Sequence, residues 1–364
     1  MKKFRVPQEA GIFGVVLIVG AIMALLSPAF LTMNNMQVLL LNGTVVLFLA
    51  MGQTFVLLTG GIDLSVGSNI ALTGMIAALA MQGGLPWWLA ALLAIVTGAL
   101  VGVFNGVFIH FGKMPAFIVT FATFGISASI PKILTQARSV TVADPMFAFF
   151  GRGSIFGIPI PVVLVLIAAV ILAWFLHRTK TGLHIYAVGG NKETARLAGV
   201  NNGKIIILVY VISGICSGFG GIIVTSRLMV GYPTAGSGTE QFYSIASAVV
   251  GGVSLFGGVG TLLGAFLGAI LIAEVSNGMN VIGVDSYWQP LVIGVIILVG
   301  VLLDTNRQQL SLSKLFRKKQ QATSVASHAS ADTTNSEISH SQKQPAGVTG
   351  GKKSIQTDDR DNEV

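Results

Sequence analysis

Side chains able to carry chemistry are scarce in this sequence and fall in three places. The first runs from His177 to Lys204, where Arg178, Lys180, Lys192, Glu193, Arg196 and Lys204 crowd into one polar, glycine-punctuated stretch. Each such charge costs about 2.5–3.5 kcal/mol at the centre of a hydrocarbon layer, so this stretch belongs in water. The other two are glycine-interrupted segments that hold a carboxylate or a hydroxyl: Gly60-Gly61-Ile62-Asp63-Leu64-Ser65 and Gly251-Gly252-Val253-Ser254. None of the three has the pattern of a catalytic centre. The sequence contains no Gly-x-x-x-x-Gly-Lys-Ser/Thr phosphate loop, no His-Glu-x-x-His, no Gly-x-Ser-x-Gly and no Cys/His cluster. The residues argue against an enzyme and predict neither a metal nor a cofactor.

The polar stretch predicts a short helix over Asn191–Ala198. Asn191 is a suitable N-cap, Glu193 sits in the first turn where the helix dipole favours an anion, and Gly199 follows as a C-terminal stop. Leu197 and Ala195 fall on one face, with Lys192 and Arg196 four residues apart on another. Such a helix can serve a soluble partner, or it can be a solvated connector. The glycine segments carry a second alternative. With Gly60 laid on Gly251, the pairs Gly61/Gly252, Leu64/Leu255, Gly67/Gly258 and Leu72/Leu263 coincide. Interrupted segments at matching places in two halves point to a transport pathway through Gly60, Gly61, Asp63, Ser65, Gly251, Gly252 and Ser254. They can equally be tight turns and close helix crossings. Asp63 must face a cavity, water or a helix N-terminus, where it would cap the next span with help from Ser65.

The elements that position these residues are membrane spans. Of 364 residues, 53% are hydrophobic and only 10% charged, and the 45 glycines suit close helix–helix approach in lipid. The fold class is therefore all-α: a polytopic membrane protein of about ten transmembrane helices. Apolar runs occupy Ala10–Leu26, Met36–Leu58, Val66–Met81, Trp87–Ile109, Ala116–Leu134, Ile160–Leu176, Ile205–Met229, a short Ser244–Phe256, Thr261–Asn280 and Gln289–Leu303. Met1–Pro7 and the apolar run behind it read as a first span rather than a cleaved leader. A mixed loop is expected over Thr135–Pro159. The organisation is then a cytoplasmic N-terminus over residues 1–9, a transmembrane domain over residues 10–303 with the cytoplasmic loop at residues 177–204, and a cytoplasmic polar tail over residues 304–364 that is mostly disordered. The single cysteine, Cys216, lies inside a span and excludes a disulfide framework.

The net charge of +8 does not indicate nucleic acid, because the basic residues gather in short loops and tails. With both termini cytoplasmic, Lys2, Lys3, Arg5, Lys113, Arg178, Lys192, Arg196 and Lys204 all fall inside, as the positive-inside rule requires. Polar residues within spans are mostly uncharged, Asn42, Gln53, Asn69, Asn105, Thr123, Ser213 and Asn277 among them. These suit hydrogen bonding to a neutral polyol. Ion or proton coupling would call for charged pairs; Glu274 is the exception, and its position predicts a solvated carboxylate near the outer end.

Three stretches, TGGIDLSVGS at Thr59–Ser68, YAVGGNKETARLAGVN at Tyr186–Asn201 and VVGGVSLFGGVGTLLGAFLG at Val249–Gly268, resemble the permease subunits of ribose-type sugar ABC importers. That family includes xylose, arabinose, galactose and autoinducer-2 permeases and is distantly similar to branched-chain amino-acid permeases. The resemblance implies a dimeric bacterial inner-membrane permease with about ten helices. Its partners would be a second permease subunit, a cytoplasmic ATP-binding subunit, a periplasmic sugar-binding protein and membrane lipid. It also implies that Gly189–Gly199 is the coupling helix that docks into the ATPase, with Gly189, Gly190, Asn191, Glu193, Ala195, Arg196, Leu197 and Gly199 as its residues. The function expected is import of a monosaccharide or small polyol. An amino acid or nucleoside permease, and then an ion-coupled transporter, are the alternatives.

The topology is checked by single-cysteine labelling of intact cells in a Cys216→Ser background. Cysteines at positions 152 and 232 should react with an impermeant maleimide from outside, and those at 192 and 319 should react only after the membrane is opened.

Overall fold

The computed structural model describes residues 8–302 together with Asp304 and Thr305. Most of the expected tail therefore lies outside the described residues, as do residues 1–7. The chain runs α1 (Gln8–Leu26), α2 (Met33–Leu58), α3 (Val66–Gln82), α4 (Trp87–His110) and α5 (Ala116–Thr135). A mixed segment follows, with β1 (Val140–Thr141), α6 (Pro145–Arg152), β2 (Ser154–Ile155) and β3 (Ile158–Pro159). Then come α7 (Ile160–Arg178), α8 (Lys180–Gly190), α9 (Lys192–Leu197), α10 (Asn202–Leu228), β4 (Val230–Gly231), α11 (Glu240–Val250) and α12 (Leu262–Val281). A last helix, α13, covers Trp288–Leu302.

Seven of these helices are long and apolar enough to cross a membrane, and α3 and α13 are shorter apolar helices. Burial sorts them into an inner and an outer set. In α10 72% of the apolar window is buried and in α2 67%, against 28% in α4, α5 and α7 and 6% in α1. The inner pair buries Gln53, Thr54, Ser213 and Ser217, while the outer helices turn Leu17, Leu25, Ile171 and Trp174 outward. Hydrocarbon is as apolar as those side chains, so burying the fat-soluble face gains nothing and packing must come from close backbone approach.

Glycines supply that approach where α4 crosses α10. Gly98, Gly102 and Gly106 repeat every fourth residue and meet the backbone of α10 at Gly214, Tyr210 and Ile207. A Cβ on Gly106 would lie 2.6 Å from Ile207 Cα, and at the other two positions it would overlap a carbonyl oxygen. This repeat, absent from the expectations above, is legible in the sequence as a small-x-x-x-small stripe.

Four expectations need correction. The loop at residues 177–204 is mostly helical, because α8 fills residues 180–190 with Thr179 as its N-cap. The Thr135–Pro159 loop contains α6, started by Asp144, whose carboxylate accepts from Met146 N and Phe147 N, with Pro145 in the first turn. Ser244–Phe256 is no continuous span: α11 ends at Val250 after 11 residues, about 16 Å of helix and half a bilayer. Asp304, placed in the tail by the expected boundary, belongs to the bundle, since its Oδ2 accepts from Ser254 Oγ at 2.9 Å and Leu255 N at 3.2 Å.

Gly102→Leu should destabilise the bundle by about 1–3 kcal/mol or more, through overpacking against backbone that has no room to shift. Gly125→Leu, on α5 with nothing within 4 Å of its would-be Cβ, is the control. Thermal unfolding of the detergent-purified chain should separate the two; equal midpoints would sink the role given to the seam.

Candidate functional site

At one end of the bundle α9 projects from the chain with both termini capped by local chemistry. Asn191 Oδ1 accepts from Thr194 N at 2.8 Å, and Gly199 stops the helix with φ +83°. Arg196 bonds Glu193 rather than running beside Lys192, and this ion pair holds the Glu193 carboxyl below its usual range. The two apolar residues of α9 part company. Ala195 is 4% exposed and packs into the chain's own core, whereas Leu197 is 76% exposed.

Directly beneath, the three sequence stretches singled out above meet. Gly189, in the last turn of α8, lies against Leu58 O at the end of α2 and against the backbone of Gly258. Gly258 N donates to Leu58 O at 2.9 Å. Gly257 packs on Gly60 and Gly189, and Gly190 on Gly258. Tyr186 OH donates to Gly260 O at 2.8 Å, and burial pushes that phenol above its ordinary value, which keeps it a donor. Backbone touches backbone on all sides, so a side chain at Gly189 would force the layers apart. Phe256 and Val259 are exposed at this same end.

Asp63 lies just behind that contact and is 1% exposed. It does not cap α3; Ser65 is the N-cap residue and makes no side-chain cap bond. Instead Asp63 Oδ1 accepts from Ser65 N and Ser65 Oγ, and Oδ2 accepts from Ser213 Oγ on α10 at 2.8 Å. Asn105 Nδ2 on α4 donates to Ser65 Oγ, and Thr123 Oγ1 on α5 donates to Asn105 Oδ1 at 2.6 Å. The Gln53 amide, turned to satisfy both its ends, bonds the Asp63 backbone at 3.1 and 3.2 Å. The α2–α3 break is thus tied to three further helices through hydroxyls and amides. Every link is short and buried, so the network holds the break rigidly.

Toward the opposite end of α2, α10 and α12 lies a cavity of about 300 Å³. Asn42, Arg227, Glu240, Ser276, Asn280 and Gln289 give it polar walls. Arg227 Nη2 donates to Asn42 Oδ1 at 2.8 Å, and Gln289 Nε2 to Asn280 Oδ1 at 2.8 Å. From Leu58 back to Asn42 is about 24 Å of helix, so the cavity meets α2 part-way along, well away from the α8–α9 contact at its C-terminal end. Gly60, Gly61, Asp63, Ser65, Gly251, Gly252 and Ser254 are not among the cavity's lining residues. Gly60 and Gly252 instead turn the chain at φ +73° and +87°, and Gly251 meets the α12 backbone at Gly264. Glu274 departs from the solvated carboxylate expected, as its Oε2 is buried without a partner and its Oε1 lies beside Gly20 of α1. Among the described residues no three His, Cys, Asp or Glu side chains group as a metal site.

A bundle of spans with a polar cavity toward one end and a capped helix outside it at the other is the architecture of a transport permease. The chain belongs to the family described as branched-chain amino acid transport system / permease component, whose model matches residues 35–301. It is 39% identical over 300 residues to the D-allose transport system permease protein AlsC of Escherichia coli (strain K12), covering 82% of this chain and 91% of that one. It is 39% identical over 311 residues to the ribose import permease protein RbsC of the same strain, covering 84% and 96%. The L-arabinose ABC transporter permease protein AraH of Azospirillum brasilense is 34% identical over 301 residues, covering 83% and 88%. No solved structure matches the chain. It is a multi-pass inner-membrane transport component, and not an enzyme.

Sequence reasoning missed Arg227, Glu240, Ser276, Asn280 and Gln289 as one group, since they come from four helices and only the tertiary packing unites them. Ser213→Ala should leave Asp63 Oδ2 without its donor and cost about 1–3 kcal/mol, read as a lowered unfolding midpoint of the purified permease. Asp63→Leu should cost more, since it also leaves Ser65 N and Ser65 Oγ without their acceptor. A Ser213→Ala midpoint equal to wild type would remove the network from the stabilising account.

Proposed function

We propose that this chain is the membrane-spanning subunit of an ATP-driven importer for a monosaccharide. What carries the reading is the convergence of the α2–α3 break, the α11–α12 break and α8 under the exposed helix α9. A force applied to α9 from outside reaches both chain breaks through backbone contacts that cannot compress. The relatives' names supply the solute class, since those cited transport allose, ribose and arabinose.

In this reading α8 and α9 face the cytoplasm with both termini, and about ten helical segments, counting α3, α11 and α13, fill the membrane. A cytoplasmic ATP-binding subunit docks on α9, a sugar-binding protein delivers from the opposite face, and a second permease subunit completes the pathway. Nucleotide binding moves α8–α9; the breaks relay that motion to α10 and α12, and the bundle exchanges access between its two faces. The ATP-binding subunit supplies all hydrolysis, so no residue of this chain needs a catalytic role.

The docking contact is Leu197, with Leu183, Phe256 and Val259 among the other exposed apolar groups at that end. Ala195, first expected as a second anchor, is taken up by the chain's own core. Glu193 and Arg196 orient the partner at the rim more than they hold it. Leu197→Asp should therefore weaken retention of the co-expressed ATP-binding subunit by about 2–4 kcal/mol while the permease keeps its unfolding midpoint. Ala195→Asp should lower the midpoint itself. Retention and uptake both unchanged in Leu197→Asp would remove the coupling role.

A further inference from the structure

The hairpin that follows α6 carries an aromatic ring where its own geometry asks for something else. Ser154 pairs with Pro159 and Ile155 with Ile158, so Phe156 and Gly157 form a two-residue turn. Both have positive φ, +52° and +81°. Turns of this kind favour Asn-Gly or Asp-Gly, and a bulky side chain at positive φ is an outlier. Such outliers persist where something beyond the local backbone holds them. Nothing within the chain repays Phe156, which is 101% exposed.

Its surroundings are of the same kind. Ile155 and Ile158 on the hairpin, and Met146 and Phe149 on α6, are each about half exposed. The Phe149 ring lies against Gly153 at the foot of the hairpin, where a Cβ would overlap it. From Pro145 to Pro159 the only polar side chains are Arg152 and Ser154, and from Gly153 to Leu176 there is no charged residue. Phe150 gives the depth, since its ring stands 5.0 Å from that of Trp87 in the first turn of α4. With Trp88 exposed beside it, that turn has the composition of the aromatic belt where a span leaves hydrocarbon. α6 therefore lies at the level of the lipid–water boundary.

We propose that α6 and the β2–β3 hairpin are a lipid-binding anchor on the face opposite α9. Phe149, Ile155, Phe156 and Ile158 seat at the acyl-chain boundary, and the Arg152 cation meets anionic headgroups. The claim does not depend on what the bundle carries. The anchor also holds more than itself. Gly151 leaves no room for a side chain against Ser226 and Arg227, and Arg152 Nε donates to Arg227 O at 2.6 Å. The lipid surface thus steadies the end of α10, and with it the Arg227 side of the polar cavity. A soluble protein is the competing occupant. Against it, a protein interface is rimmed with polar side chains, and this patch has two.

The test uses the full purified chain in nanodiscs of phosphatidylethanolamine and phosphatidylglycerol. In a Cys216→Ser background a nitroxide is attached at Phe156→Cys and, separately, at Ile158→Cys. Ile171→Cys on the outward face of α7 is the lipid reference, and Lys192→Cys on α9 the water reference. Collisions with oxygen, which concentrates among acyl chains, are compared with those of a water-soluble nickel chelate. The oxygen-to-nickel ratio at 156 and 158 should exceed that at 192 roughly fivefold or more and approach that at 171. Adding the sugar-binding protein should leave both spectra unchanged. Ratios like that at 192 would overturn the anchor. Immobilisation of the nitroxides by the sugar-binding protein would overturn it too, and would make the hairpin a protein-docking site instead.

Discussion

Hydrocarbon offers a broken helix no partner for its freed backbone groups, and each unmet group there costs several kcal/mol. This chain breaks its helices twice within the bundle, after Leu58 and after Val250, and the rest of the structure is arranged around making those breaks tolerable. They do so partly by local turns: Gly60 N returns to Leu57 O and Gly252 N to Val249 O. The remaining need is met by the breaks meeting each other, with Gly258 N on Leu58 O, while Asp63 and Asp304 take up N–H and hydroxyl donors on either side. Only glycine lets three backbones come this close. The same economy of side chains that satisfies the breaks also leaves no soft layer between them and α8.

That stiffness has a counterpart in the α4–α10 seam. Where helices touch through backbone, relative sliding by a fraction of a turn would drive carbonyls into Cα atoms, so α4 and α10 travel together. The half-length α11 has its close backbone contact with α12 instead, where Gly268 meets Ser247 O, and the outlying α1 packs on α12. Motion between the two faces of the bundle is therefore easiest for α11, α12 and α1 against the block formed by α2, α3, α4 and α10. The polar cavity lies on that boundary.

How much of this could be read from residue order depends on the range of the interaction. The cap at Asn191, the stop at Gly199 and the extent of the long spans rest on chemistry within a few residues, and they stand in the structure where the sequence puts them. α6 rested on equally local signals, Asp144 followed by Pro145, but those were masked by a stretch otherwise rich in glycine and proline. Ala195 and Leu197, set on one face in the sequence reading, stand two residues apart and so about 200° around the helix axis; periodicity alone separates them, and the neighbouring α8 and α10 decide that Ala195 is the buried one. The cavity lies further out of reach, since Asn42, Arg227, Glu240 and Ser276 are each unremarkable beside their sequence neighbours. The glycine segments were correctly noticed as unusual, yet their pairing with each other and with α8 needed the third dimension.

Asp304 gives the chain a last usable landmark. Because its carboxylate accepts from Ser254 Oγ and Leu255 N, the stretch that must be kept intact runs beyond α13 as far as Asp304. A fluorescent protein or affinity handle joined at residue 303 would remove that latch, leaving Ser254 Oγ and Leu255 N without the acceptor Asp304 gives them even though every span remained. Joined some residues beyond Thr305, the same handle would leave the latch in place. For anyone tagging this protein, one acidic side chain decides where the permease ends.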